Sequence, residues 1–145
     1  MNAIDTNILV YAFDTAYQKK RETCKELIKS IFDGKEEAVI TNQILAEFAA
    51  VITKKIQKPL SRKDAETIIG AILSCKNFQV INYSGKTVLS AIQSKKQFWD
   101  ALIIATLKEN NITGIITENE KDFTGEGMTV RNPFKEMKKN EENIR

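Results

Sequence analysis

Chemistry in this sequence must come from groups other than imidazole, because the chain contains no histidine, and its carboxylates are plentiful. That absence excludes Ser–His and Cys–His dyads, imidazole acid–base catalysis and histidine-ligated zinc. Hard oxygen donors instead select Mg2+ or Mn2+ over zinc or copper. Asp100 is the most informative carboxylate. Phe98, Trp99, Ala101, Leu102, Ile103, Ile104, Ala105 and Leu107 surround it, so its helix is apolar in nearly every direction and belongs at the centre of the molecule. At about 100° per residue, Ile103, Ile104 and Leu107 bracket the direction in which Asp100 points, which withdraws the carboxylate from water. An unpaired buried charge costs roughly several kcal/mol. A helix N-cap role, an ion pair with Lys95 or Lys96, or a cation shared with other carboxylates would each offset that cost.

Other acidic groups stand where they could share such a cation. Asp5 ends a short apolar run and is followed by polar Thr6 and Asn7; its alternative use is to cap the next helix. Glu47 lies beside the apolar stripe of its helix, near Ile44 and Val51, where it can reach inward or serve as a boundary residue. The cluster Thr117-Glu118-Asn119-Glu120-Lys121-Asp122-Phe123 follows another apolar run. Asp122 or Asn119 can complete a site there, while Glu118 and Glu120 read as solvated loop charges.

Positioning these groups requires an alternation of strands and helices. Met1 to Ile4, Ala38 to Ile40, Phe78 to Ile81 and Gly114 to Thr117 read as strands. Helices are expected over Ile8 to Phe13, Lys20 to Phe32, the stripe Ile44 to Ile56, the stripe Ala65 to Leu73 after Ser61, Ser84 to Ser94, and Phe98 to Glu109. Thr41 or Asn42 can cap the third of these, and Pro59 separates it from the fourth. Such alternation favours an α/β fold with a parallel sheet covered on both faces, which presents ligands at the C-terminal ends of its strands. The polar stretch Lys135 to Arg145 is expected to fray.

Composition adds boundaries. At 145 residues, with 42% hydrophobic and 28% charged, the chain suits one domain with a sizeable core. Cys24 and Cys75 form neither a C-x-x-C motif nor a disulfide framework, which suits a reducing, cytoplasmic setting. Apolar runs such as Ala101 to Ala105 fall far short of the ~20 residues of a membrane span. The net charge of +3 is compatible with a phosphate-rich partner. Lys19, Lys20 and Arg21, and Lys54, Lys55 and Lys58, could meet phosphates but read as solvated faces and receive no contact role.

Taken together, Asp5-Thr6-Asn7-Ile8-Leu9, the Glu47 helix, Phe98-Trp99-Asp100-Ala101-Leu102-Ile103-Ile104-Ala105 and Thr117-x-Asn119-x-x-Asp122-Phe123 resemble the PIN domain, in particular the VapC-like ribonucleases. The resemblance covers Met1 to Phe134, and its motifs run in the family's order. It implies a three-layer α/β/α fold with a mainly parallel sheet over residues 1–134, followed by a polar tail over 135–145. It implies carboxylates gathered at one sheet edge around one or two Mg2+ or Mn2+ ions, with Asp5, Glu47 and Asp100 at the family's most regular acidic positions. The family often places Asp where this chain has Asn119, and another acidic residue at the position of Asp122. Asp122 is therefore assigned as the fourth ligand, with Asn119 assisting directly or through water.

Thr6, Asn7 and Thr117 are the expected supporting groups, the two threonines as orienters of a water or phosphate. The implied activity is metal-dependent hydrolysis of RNA, and the implied partners are a cognate antitoxin and a second copy of the chain. A catalytically inactive RNA-binding or interaction domain of the same fold is the alternative. A metal-dependent phosphotransferase lacks support, since no glycine-rich phosphate loop is present.

Overall fold

The computed structural model describes residues 1–136. Strands β1 (Asn2–Ile4), β2 (Ala38–Thr41), β3 (Phe78–Ile81), β4 (Gly114–Ile116) and β5 (Thr129–Arg131) form one sheet in the order β3-β2-β1-β4-β5. Every neighbouring pair is parallel. Short Ile- and Val-rich runs suit this arrangement because a parallel sheet is covered on both faces, and every residue of β2 and β4 is buried. Parallel pairing also requires crossovers, which the helices supply.

The chain steps outward from β1 to β2 to β3, then returns to place β4 on the other side of β1. The strand order thus reverses beside β1, and open α/β sheets bind ligands outside the strand C-termini at such a point.

Local chemistry sets the helix starts. Helix α1 (Thr6–Tyr11) begins two residues before the expected Ile8, because the Asp5 carboxylate accepts from the Thr6 N–H at 2.8 Å and starts the helix directly off β1. Helix α2 (Gln18–Phe32) buries Cys24, Ile28 and Ile31. In α3 (Asn42–Lys54) Thr41 is the cap, its Oγ1 accepting from the Ile44 N–H at 3.1 Å. Asn42 instead accepts from the Tyr83 N–H at 3.1 Å, tying α3 to the loop after β3. Ile44, Phe48 and Ile52 carry α3 into the core with no exposed surface.

Helix α4 (Arg62–Ser74) is capped by Ser61 and buries Ala65 and Ile72, whereas Leu73, expected on the same stripe, turns out to solvent at 58% exposure. Helices α5 (Gly85–Ile92) and α6 (Phe98–Glu109) follow the expected segments. Helix α6 is less central than its composition suggests: Ala101, Leu102, Ile103, Ile104, Thr106 and Leu107 are buried, but Trp99 is 53% exposed.

Helix α7 (Glu120–Phe123) and β5 were not legible in the sequence. Their four and three residues are too short for a periodic signal, and Val130 is the one β5 residue not exposed. Of the stretch expected to fray from Lys135, only residues 135 and 136 are described. Residues 133–136 form a helical turn, Lys135 pairs with Glu120 at 2.5 Å, and Arg131 pairs with Glu136 at 2.8 Å. The rest of the expected tail, residues 137–145, lies outside the described residues.

The Thr41 cap yields a stability prediction. Thr41→Val keeps the volume of this fully buried residue but removes Oγ1, so urea unfolding is expected to show a loss of about 1–2 kcal/mol at unchanged m-value. A loss below roughly 0.5 kcal/mol would show that the cap contributes little.

Candidate active site

Four loops and helix starts at the C-terminal edge of the sheet deliver the polar groups. Asp5 follows β1, Glu47 stands in the second turn of α3 after β2, Asp100 in the first turn of α6, and Thr117, Asn119 and Asp122 follow β4. Asp5, Glu47, Asp100 and Asp122 all line one cavity of about 400 Å3, and so do Thr6, Asn7 and Asn119. That volume falls within the usual range of ligand sites, ~300–1,000 Å3.

Asp5 is the innermost carboxylate, 7% exposed. Its Oδ1 accepts from the Thr6 N–H, and its Oδ2 accepts from Thr117 Oγ1 at 2.7 Å and more distantly from Asn7 Nδ2 at 3.5 Å. It is therefore both a helix cap and part of the cavity wall. Thr117 is fully buried, and its Oγ1 also accepts from the Asn119 N–H at 3.0 Å, fixing the turn after β4 against β1. Glu47 is held through both oxygens: Oε2 accepts from Thr6 Oγ1 at 2.9 Å and Oε1 from Gln43 Nε2 at 3.0 Å. The Thr6 and Thr117 hydroxyl protons are thus committed to Glu47 and Asp5. The two threonines hold carboxylates here.

Asp100 is half-buried, and among the described residues it takes up neither the N-cap role nor an ion pair with Lys95 or Lys96. Gln97 is the N-cap of α6, its side-chain oxygen accepting from the Asp100 N–H at 3.0 Å. Among the described residues, no ion pair joins Asp100 to Lys95 or Lys96. The charge of Lys96 does pull its carboxyl toward the ionised form, but burial and the charges of Asp122 and Glu47 push it above the ordinary Asp value. Burial likewise raises Asp5 to about 6 against the hydrogen bonds from Thr117 and Thr6, and the charges of Glu47 and Asp100 add to the rise. The four carboxylates thus form one chain of mutual repulsion, with Asp122 joined to it through Asp100.

Among the described residues, no group of three or more Asp, Glu, Cys or His side chains is already arranged to hold a metal ion. The donor set nevertheless fits a hard dication in kind. The donors are all oxygens, two of the carboxyls are penalised for ionising, and neither Lys nor Arg lines the cavity to neutralise them.

Several cavity residues escaped the sequence reading. Asp14 is a further carboxylate on the lining, 8% exposed, whose Oδ1 accepts from the Ala16 N–H at 3.1 Å. Its only sequence signal was a polar break after a short apolar run. Gln43 gave none, being a polar residue in the first turn of a helix. Tyr11 lines the cavity too, donating to Glu118 Oε2 at 2.5 Å. Burial and that bond push its phenol up to about 12, so it stays neutral.

Glu118 also ion-pairs with Lys20, whose ammonium lies 5.0 Å from the Tyr11 ring centroid and 5.1 Å from that of Phe134. Lys20 and Glu118 are accordingly locked together rather than solvated as expected, and Glu120 is paired with Lys135.

A family model described as PIN domain matches residues 3–124. No curated protein matches the sequence. Solved structures of similar shape include a toxin–antitoxin complex from Klebsiella pneumoniae, 23% identical, with a TM-score of 0.62 over 92% of this chain and 98% of that one. The sarcin–ricin loop cleaving toxin VapC20 of Mycobacterium tuberculosis is 15% identical, with a TM-score of 0.65 over 89% of this chain and 97% of its own. VapBC2 from Rickettsia felis, bound to a DNA fragment from its promoter, is 18% identical, with a TM-score of 0.59 over 90% and 97%. At these identities the likeness is one of fold.

Proposed function

The chain belongs to the PIN domain family, and from that premise we propose that it is a divalent-metal-dependent endoribonuclease acting as the toxin of a toxin–antitoxin pair. The observation that carries this reading is the meeting of Asp5, Glu47, Asp100 and Asp122 in one cavity at the strand-order reversal, with no basic side chain on the lining. These four residues would hold Mg2+ or Mn2+, with Asn119 assisting beside Asp122. When bound, such an ion lowers the pKa of a coordinated water and offsets charge on a scissile phosphate, supplying a nucleophile without histidine.

The chain's own contribution is pre-organisation. Thr117 and the Thr6 amide aim Asp5, Thr6 Oγ1 and Gln43 aim Glu47, and Gln97 fixes the turn that carries Asp100. Asp5 and Asp100 resist ionising beside their neighbours, and binding a cation relieves that repulsion.

Residues 1–134 act as one nuclease unit in this reading, and the substrate is RNA, as the sarcin–ricin loop cleaving toxin of the same fold suggests. The complexes from K. pneumoniae and R. felis support a cognate antitoxin as partner, and a homodimer in the cytoplasm completes the proposal. Among the described residues, no helix is long and apolar enough to cross a membrane.

The test is cleavage of single-stranded RNA by the purified chain with Mg2+ or Mn2+, and its arrest by EDTA. Cleavage that continues unchanged in EDTA would overturn the metal-dependent reading. Asn119 in place of an acidic residue favours a second reading, an inactive RNA-binding or interaction domain. That domain would retain RNA intact throughout a metal titration. Co-expression of a small neighbouring protein that co-purifies and suppresses cleavage is the expected sign of the antitoxin.

A further inference from the structure

We propose that Gln43 is a positioning residue for Glu47, holding that carboxylate in the orientation in which it joins a divalent ion; the inference rests on the metal-dependent reading above. Gln43 lies one helical turn before Glu47 on α3 and is 6% exposed. Its Nε2 donates to Glu47 Oε1 and to the Trp99 carbonyl oxygen, each at 3.0 Å. Because Thr6 Oγ1 donates to Oε2, both oxygens of Glu47 are held, one from α1 and one from its own helix. Trp99 directly precedes Asp100, so a single amide nitrogen joins the helix of Glu47 to the turn of Asp100. Its orientation is fixed by its partners, since a reversed amide would turn its oxygen toward a carboxylate and a carbonyl, both acceptors.

The other end of the amide bears on whether its role is stability. Gln43 Oε1 is buried and has no hydrogen-bond partner among the described residues. A buried acceptor without a partner is unfavourable and offsets part of what the two donated bonds contribute, while methionine or leucine would remove that oxygen but also take the Gln43 donor from Glu47 Oε1 and the Trp99 carbonyl. What the amide achieves, and an apolar side chain would not, is the setting of Glu47 against α6. Groups that orient metal ligands in this way act on ion affinity and turnover more than on the fold.

The experiment titrates Mn2+ alone, by calorimetry, into the wild-type chain and into Gln43→Met, with thermal melts of both metal-free proteins. Gln43→Met is expected to weaken Mn2+ binding by about 10–100-fold, with a melting temperature within a few degrees of wild type, since removal of the unpaired oxygen opposes the loss of the two donated bonds. For RNA cleavage, kcat should fall while KM is preserved. Gln43→Asn keeps the amide but is one methylene short of reaching both acceptors, so it is expected to weaken Mn2+ binding as well. Wild-type Mn2+ affinity in either variant would overturn the inference. So would loss of the cooperative melting transition in both, which would assign Gln43 to the fold. A wild-type chain that takes up no Mn2+ would overturn the metal reading itself, a result distinct from a binding wild type with indifferent variants.

Discussion

Asp100→Asn is expected to slow RNA cleavage by more than about 100-fold while leaving the melting temperature of the metal-free chain within a few degrees of wild type. Losing a group that merely orients a metal ligand typically costs about 10–100-fold, so exchanging a ligand oxygen for an amide should exceed that. The fold is spared for a visible reason. Gln97 caps α6, so the turn does not depend on the Asp100 carboxylate. An acid in the first turn does favour the helix by about 0.3–1 kcal/mol, but here the loss is opposed by relief of repulsion from Asp122 and Glu47. Single-turnover cleavage beside a melting curve separates the effects. Unchanged activity in a well-folded variant would remove Asp100 from the chemistry.

Asp5→Asn is expected to abolish cleavage yet stabilise the metal-free chain at neutral pH. The Asp5 carboxyl is raised from 3.8 to about 6 in the folded protein, so between those values the folded state holds a proton that the unfolded state has released. Stability therefore falls as pH rises through the window from about 4 to about 6, by about 3 kcal/mol for this one group. Above it the ionised carboxylate stays as a standing penalty until a cation offsets it.

Asn still serves as a cap, but its single acceptor oxygen must choose between the Thr6 amide and the Thr117 hydroxyl. The expected gain at pH 7 is therefore smaller, about 1–2 kcal/mol. Urea unfolding of both proteins at pH 4 and pH 7, without divalent ions, gives a difference in which groups not coupled to Asp5 cancel. Equal pH dependence in the two would show that Asp5 is not perturbed. Adding Mn2+ at pH 7 should raise the melting temperature of the wild type more than that of the variant.

Much of this arrangement was readable because periodicity and strand ends carry strong signals. The stripe Ile44, Phe48 and Ile52 located α3, and the runs Met1 to Ile4, Ala38 to Ile40 and Gly114 to Thr117 located the central strands to within a residue of their observed ends. Carboxylates just beyond such runs identified the candidate site, because a parallel sheet gathers its strand ends on one edge. What escaped was decided by contacts across the chain. Whether Asp5 would cap a helix or face a cavity could not be read locally, since it does both, and the Thr117 hydroxyl that aims it lies 112 positions away. Lys20 looked like a solvated charge until Glu118, Tyr11 and Phe134 enclosed it. Trp99, placed by composition on a buried helix, faces outward because α6 begins at the rim of the site.

The order of the strands also bears on when the site can form during synthesis. Because β1 has one of its neighbours in β4, with Asn2 opposite Gly114, a growing chain that already carries Asp5 cannot close the wall around it until β4 and the turn bearing Asp122 have emerged from the ribosome. On the proposed nuclease reading, shorter nascent fragments would lack the assembled site.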